Sequence, residues 1–369
     1  MYFRSVCLKE VDTNRHRRLV ENAQHLGGLV RHLRFILEDR FVDNNDLPIC
    51  ELLLSMQNVR SLTIVHRQQD VAKHTALQQA VEKFVRLEEI IIQDGGYSTN
   101  DFYSPILRVA NTETFIPIFL CRVLEVHGMH LRALHLYTHI PLHPLLYINI
   151  RDNTPNLRSI TFTDNIGRDM EDVFAERTPW ASGQLGNLES LTIQLCSGTD
   201  ADQLVQNILH GVYGRSLKEV WFIRSGTYSI HIPEPPSFQV FASLERMHFD
   251  QINSQELSTI ALLPIQDLSL TRVSDGAFCR LPMLLEGGSS RSGGVQPGFR
   301  GLKRLRLDPN FAYKMYGEAS SDECKAAYKE LCERSLPQRG IELSLDAEVI
   351  LRSHFVARVL TTKVHEGRS

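Results

Sequence analysis

Several things that mark other protein classes are missing from this sequence. No apolar run reaches the roughly 18 residues that a membrane span needs. There is no Asn-x-Ser/Thr sequon, and none of the seven cysteines forms a Cys-x-x-Cys pair, so a zinc ribbon, a dithiol redox motif and a disulfide framework are not expected. Neither sign of charge prevails: 40 Lys and Arg face 43 Asp and Glu, for a net charge of −3. That balance removes the electrostatic footprint of a dedicated nucleic-acid or membrane-surface binder. Residues 1–8, MYFRSVCL, lack the basic flank and apolar stretch of a signal peptide and read as a β-strand. Cytosol or nucleus is the expected location.

What the sequence does have is leucine: 48 of 369 residues, 13% of the chain. Its 43% hydrophobic content excludes wholesale disorder. A chain this long exceeds one compact core, so either two domains or one extended repeat array is expected. A short pattern decides for the array. Apolar, two variable, apolar, one variable, apolar recurs ten times, starting at Val30, Val59, Leu87, Leu131, Leu157, Leu188, Leu217, Leu244, Ile265 and Leu302. Seven of the nine intervals lie between 21 and 31 residues, close to the leucine-rich-repeat period. A degenerate copy stands at Ile341-Glu342-Leu343-Ser344-Leu345.

Between these strands the apolar period changes to that of helices. Leu77, Ala80, Val81, Phe84 and Val85 make one stripe, and Leu204, Val205, Ile208, Leu209 and Val212 a second, behind an N-cap at Asp200. Ser320 and Glu323 read as a capping box before a third stripe at Cys324, Ala327, Tyr328, Leu331 and Cys332. Strand plus helix in each unit predicts an α/β leucine-rich-repeat solenoid: a curved horseshoe with parallel strands on the concave side, helices on the convex side, and about ten irregular repeats. Residues 1–369 are expected as a single domain, with residues 1–28 an N-terminal strand and capping segment, 29–310 the array and 311–369 a C-terminal cap. Residues 93–117, 225–237 and 286–298 read as loops leaving one rim.

The array, with Tyr2-Phe3-Arg4-Ser5-Val6-Cys7-Leu8 and Leu29-Val30-Arg31-His32-Leu33-Arg34-Phe35, resembles fungal F-box/leucine-rich-repeat proteins. In that family a strand of the first kind follows the F-box, and one of the second kind opens the repeats. The resemblance implies a ribonuclease-inhibitor-like horseshoe that recruits substrates to a cullin-based ubiquitin ligase. The family's F-box would stand before Tyr2, so the ligase adaptor is an expected partner only where an upstream F-box exists. The alternative is a stand-alone leucine-rich-repeat scaffold or regulator. The asparagine of standard repeats is mostly missing, with Asn165 and Cys196 the better matches, which favours the irregular intracellular type.

Strand alternation turns positions four and six of each unit inward and three, five and seven to the concave face. Position five reads Arg34, Thr63, Ile91, His135, Thr161, Thr192, Trp221, His248, Ser269 and Arg306. Trp221 stands out, because an indole on an open face is a hot-spot residue type. A protein partner is therefore expected around Trp221 and His248, with Ile223 and Asp250 beside them, Arg246 in position three, and His135 and Tyr137 on an earlier strand. The other reading of Trp221 packs it under residues 225–237. Glu219, Arg246, Asp267 and Arg304 alternate in sign at position three, which reads as a recognition stripe or as a cross-strand ion-pair ladder. His127, His130, His135, His139 and His143 cluster in sequence without acidic or cysteine ligands at metal spacing, so incidental surface histidines are expected. No nucleophile elbow or phosphate loop occurs. No catalytic residue, cofactor or metal is expected, and a monomer is.

Overall fold

The structure, a computed structural model, describes residues 5–9, 27–37, 52–66, 75–94, 115–137, 149–150, 152–163, 187–195, 216–224, 243–286, 298–308 and 321–345. The chain divides into two compact units, Met1–Asn165 with Ala357–Ser369, and Ile166–Val356.

The first unit holds β1 (Ser5–Lys9), β2 (His32–Leu37), β3 (Ser61–His66), α1 (Thr75–Glu82), β4 (Glu89–Asp94), α2 (Phe115–His127), β5 (Ala133–Tyr137) and β6 (Ser159–Thr163). Its strands pair in parallel in chain order, each with the next. The second unit holds β7 (Ser190–Leu195), β8 (Glu219–Arg224), β9 (Arg246–Ile252), α3 (Ser254–Ile260), β10 (Asp267–Val273), α4 (Asp275–Glu286), β11 (Arg304–Leu307), α5 (Asp322–Glu330), α6 (Leu336–Arg339) and β12 (Glu342–Leu345). These strands follow the same rule. Parallel strands paired in chain order, with helices in the described connections such as those after β3, β9 and β10, are the architecture of an α/β leucine-rich-repeat solenoid.

The register explains the repeat. Equivalent positions of successive repeats face one another, for example Leu33 with Leu62, Ile90 with Leu134, and Val220 with Met247. Positions one, four and six therefore stack into aliphatic ladders: Val59, Leu87, Leu131 and Leu157 at one, and Leu62, Ile90, Leu134 and Ile160 at four, are essentially inaccessible. Each such side chain contributes on the order of 1.5–3 kcal/mol on burial. Position two works through its backbone. The Arg31 carbonyl accepts from the amides of Arg60 and Ser61 at 2.8 and 3.0 Å, the Arg60 carbonyl from Glu88 and Glu89, and the Glu88 carbonyl from Arg132 and Ala133. Glu189, Lys218, Glu245 and Gln266 do the same in the second unit.

A second bridge runs through side chains just before position one. Asn58 Nδ2 donates to the Gly28 carbonyl at 2.9 Å, Asn156 Nδ2 to Met129 at 2.8 Å, and Ser216 Oγ to Leu188 at 2.8 Å. These polar residues satisfy carbonyls at the strand entrances. Asn165 and Cys196, the residues that best match the asparagine of standard repeats, follow the strands, whereas these bonds are made ahead of them.

Helices close the core from the other side. Phe119, Leu120, Val123 and Leu124 of α2 and Phe278, Leu281, Leu284 and Leu285 of α4 are buried. In the second unit α3, α4 and α5 each start on a side-chain cap. Asn253 Oδ1 accepts from the Gln255 and Glu256 amides while Glu256 returns the bond to the Asn253 amide, Ser274 accepts from Ala277, and Ser321 from Cys324.

Four local expectations need correction. Val85 does not join the α1 stripe: the helix stops at Glu82, and Val85 is 67% exposed because its amide is used by the Gln57 carbonyl of the preceding repeat. The cap of α5 is Ser321, one residue past the expected Ser320. Residues 93–117 are not all loop, since β4 runs to Asp94 and α2 begins at Phe115. The apolar run from Phe115 onward is long enough to make its own buried helix. His127 is no surface histidine; it ends α2, is 2% exposed, and sets Nε2 2.7 Å from the Val81 carbonyl of α1. The stripe at Leu204 to Val212 and the loop 225–237 lie outside the described residues.

Candidate functional site

Each unit presents positions three, five and seven of its strands away from the helices, and the expected site residues fall on these faces. In the second unit the Trp221 ring, half-buried, stacks on His248 with centroids 4.3 Å apart and planes at 26°. The register sets Trp221 of β8 opposite His248 of β9, so the contact follows from strand pairing alone. His248 is only 1% exposed. Its imidazole lies against the indole of Trp221 and braces it from the core side. The other neighbours expected for Trp221, Ile223 and Asp250, lie in β8 and β9; their side chains are outside the described ones.

Position three carries the ladder. Glu219, Arg246, Asp267, Arg304 and Glu342 face one another in register. Arg246 pairs with Glu219 at 3.8 Å, and Arg304 lies 3.7 Å from Asp267 and 2.9 Å from Glu342. Arg306, one step along β11, folds back onto Asp267 through two bonds, Nη2 at 2.6 Å and Nε at 3.1 Å. A bidentate guanidinium–carboxylate pair has little charge left to offer a partner. The alternating stripe is thus an ion-pair ladder, and it reaches one strand beyond Arg304, to Glu342.

In the first unit His135 and Tyr137 of β5 stack with centroids 6.2 Å apart and planes at 8°. His135 Nδ1 stands 2.8 Å from Thr161 Oγ1, and Nε2 is 3.8 Å from Glu89 Oε1. Ser61 Oγ donates to the other oxygen of Glu89 at 2.5 Å. Burial holds the His135 imidazole below its ordinary value, against a weaker opposing pull from the Glu89 carboxylate. Burial likewise raises Tyr137, with a hydrogen bond to Thr161 working the other way. Ser61, Glu89 and Thr161 were not singled out from sequence. The signal was there: Glu89 and Ser61 share position three, and Thr161 occupies position five beside His135.

This polar group orders side chains on the face without arranging a nucleophile, a base and an acid around a shared reacting point. Among the described residues no three His, Cys, Asp or Glu converge as a metal site, and no helix is long and apolar enough to cross a membrane.

No protein-family model and no curated protein matches the chain. Among solved structures, the leucine-rich repeat-containing protein LegL7 from Legionella pneumophila is similar over 89% of this chain and 98% of its own, with 10% sequence identity and a TM-score of 0.41.

Proposed function

We propose that this chain is a non-enzymatic protein-interaction module that captures a protein partner on its strand faces, with Trp221 as an anchor. Solenoids use such extended faces for binding because the repeat frame is held by the ladders, leaving the outward positions open to variation. The observation that carries the reading is the contrast on the face of the second unit. The charges at position three are paired with one another, while Trp221 keeps accessible aromatic area braced from behind by His248. Large, pre-ordered aromatics supply binding energy at low entropic cost. Arg246 belongs to the proposed contact area on the face of the second unit, and His135 and Tyr137 are proposed contact residues on the face of the first.

The finer reading is that the module is the substrate-recognition part of an F-box-type ubiquitin ligase receptor. Its support is the likeness of residues 2–8 and 29–35 to the strands that follow the F-box in that family. Affinity capture tests both levels. Partners held by the wild-type chain and lost by a folded Trp221→Ala variant support the strand-face reading; retention of all of them refutes it. Recovery of a ligase adaptor by the product of the complete reading frame supports the receptor reading, and a product that captures partners without adaptor favours the stand-alone scaffold.

A further inference from the structure

Position two of each repeat does its folding work with a backbone carbonyl, so its side chain is under no demand from the fold. The second unit shows this freedom, with Glu189, Lys218, Glu245, Gln266 and Lys303 in the column. The column there mixes both signs with a neutral residue. Lys218 pairs with Glu189 at 3.5 Å, and Lys303 Nζ donates to Gln266 Oε1 at 2.8 Å.

The same column in the first unit reads Arg31, Arg60, Glu88, Arg132 and Arg158, and Arg86 stands two residues before Glu88. Arg60, Arg86, Arg132 and Arg158 are exposed. Glu88, the one carboxylate of the column, is shared by Arg86 at 2.8 Å and Arg60 at 3.8 Å. The Arg31 guanidinium bonds three carbonyl oxygens, of Gly28, Val30 and Asn58, which order it without neutralising it. With strands spaced about 4.8 Å apart, the column runs for roughly 19 Å. All its cations are arginines, whose planar fork matches carboxylates.

The turns leading into this edge add a second chemistry. Leu29, Val85 and Met129 stand one or two residues before position one of their repeats and are 53%, 67% and 62% exposed. At the same two offsets the second unit has Gly186 and Asn187, Arg215 and Ser216, Ala242 and Ser243, Leu263 and Pro264, and Arg300 and Gly301, and its one large aliphatic there, Leu263, is only 6% exposed. Exposed aliphatics interleaved with arginines complement a chain that carries both carboxylates and apolar side chains.

We propose that the strand-entry edge of the first unit binds an extended acidic segment of a protein partner, its carboxylates on Arg31, Arg60 and Arg132 and its apolar side chains on Leu29, Val85 and Met129. At about 3.3 Å per residue, some six residues of extended chain span the edge. The aliphatic side chains and the carboxylate of Glu88 within the column favour such a peptide over a nucleic-acid backbone. This inference rests on the reading of the chain as a protein-interaction module, but it concerns a surface apart from Trp221.

The test is fluorescence anisotropy with a short labelled peptide alternating glutamate and leucine, titrated with the full chain. Saturable binding is expected, weakening with salt and about tenfold or more weaker in the Arg60→Glu, Arg132→Glu double variant. Arg60→Gln with Arg132→Gln, which removes the charges without reversing them, gives a smaller loss. Lys218→Glu with Lys303→Glu in the second unit leaves binding unchanged, as does Trp221→Ala, so failure of the strand-face reading is seen separately. The inference is overturned by a wild-type chain that does not bind the peptide, by equal losses in the two charge-reversed pairs, or by labelled polyuridylate binding more tightly than the peptide through the same arginines.

Discussion

Gly128 and Asn153 meet backbone to backbone across one repeat: a Cβ built on Gly128 would fall well inside contact distance of the Asn153 carbonyl oxygen. Gly27, at the same place three residues before position one, faces Ser55 of the next repeat, whose carbonyl oxygen would lie 2.5 Å from an added Cβ. Both obstacles are backbone atoms that cannot swing aside. Gly128→Ala is therefore expected to cost about 2 kcal/mol or more, with Gly27→Ala similarly damaging. Gly276, near the start of α4, has nothing within 4 Å of an added Cβ. Gly276→Ala costs nothing there and gains up to about 1 kcal/mol from helix propensity. Urea unfolding followed by circular dichroism separates the three; a Gly128→Ala midpoint equal to wild type would contradict the close approach.

These glycines show why the fold was legible in the sequence and much of its detail was not. The strands could be read because inward positions four and six demand apolar residues in every repeat, so one rule is stated ten times over. Trp221 and His248 could be placed side by side because register follows from the same pattern. Which of the two would be covered could not be read, since that depends on the size and tilt of facing rings, and both residues share one column. Gly27 and Gly128 share one offset, three residues before position one, but Met56, Phe84, Thr154 and Phe299 stand there in other repeats, so the strand period does not expose the glycines. The Asn58 and Asn156 bridges precede the repeat pattern, where attention to the strand alone does not reach.

Two histidines of the first unit, the buried His127 and the partly buried His135, give it an acid-sensitive stability. In the folded chain both His127 and His135 are held below the ordinary histidine value of 6.5, chiefly by burial. Above pH 6.5 both are neutral in the folded and unfolded chain alike, and the full stability is present. As pH falls below 6.5 the unfolded chain takes up protons that the folded chain refuses, so stability is lost until the folded-state values are passed. Each histidine contributes a slope of at most about 1.4 kcal/mol per pH unit. The urea midpoint should fall on acidification through this range, and His135→Gln should flatten the fall. A variant whose pH dependence parallels the wild type would remove His135 from this account.

The thiols of the second unit should differ sharply from the exposed Cys7 in reactivity. Cys279 of α4 and Cys324 of α5 are free, with Sγ atoms 3.5 Å apart. Burial, the hydrogen bond with Cys324, and the neighbouring carboxylates Glu323 and Asp275 push Cys279 up to about 11. Only the thiolate is alkylated, so at pH 8 about one Cys279 in a thousand is reactive at any moment. Iodoacetamide followed by peptide mapping should label Cys7 long before Cys279 in the native chain, with the difference vanishing in urea. Replacing the neighbour, Cys324→Ala, removes a hydrogen bond that favours the neutral thiol and a source of repulsion for the thiolate. Cys279 in that variant should label several-fold faster at the same pH. An unchanged rate, in a variant that remains folded, would mean that burial and the neighbouring carboxylates set the reactivity and that the contact between the two sulfurs does not.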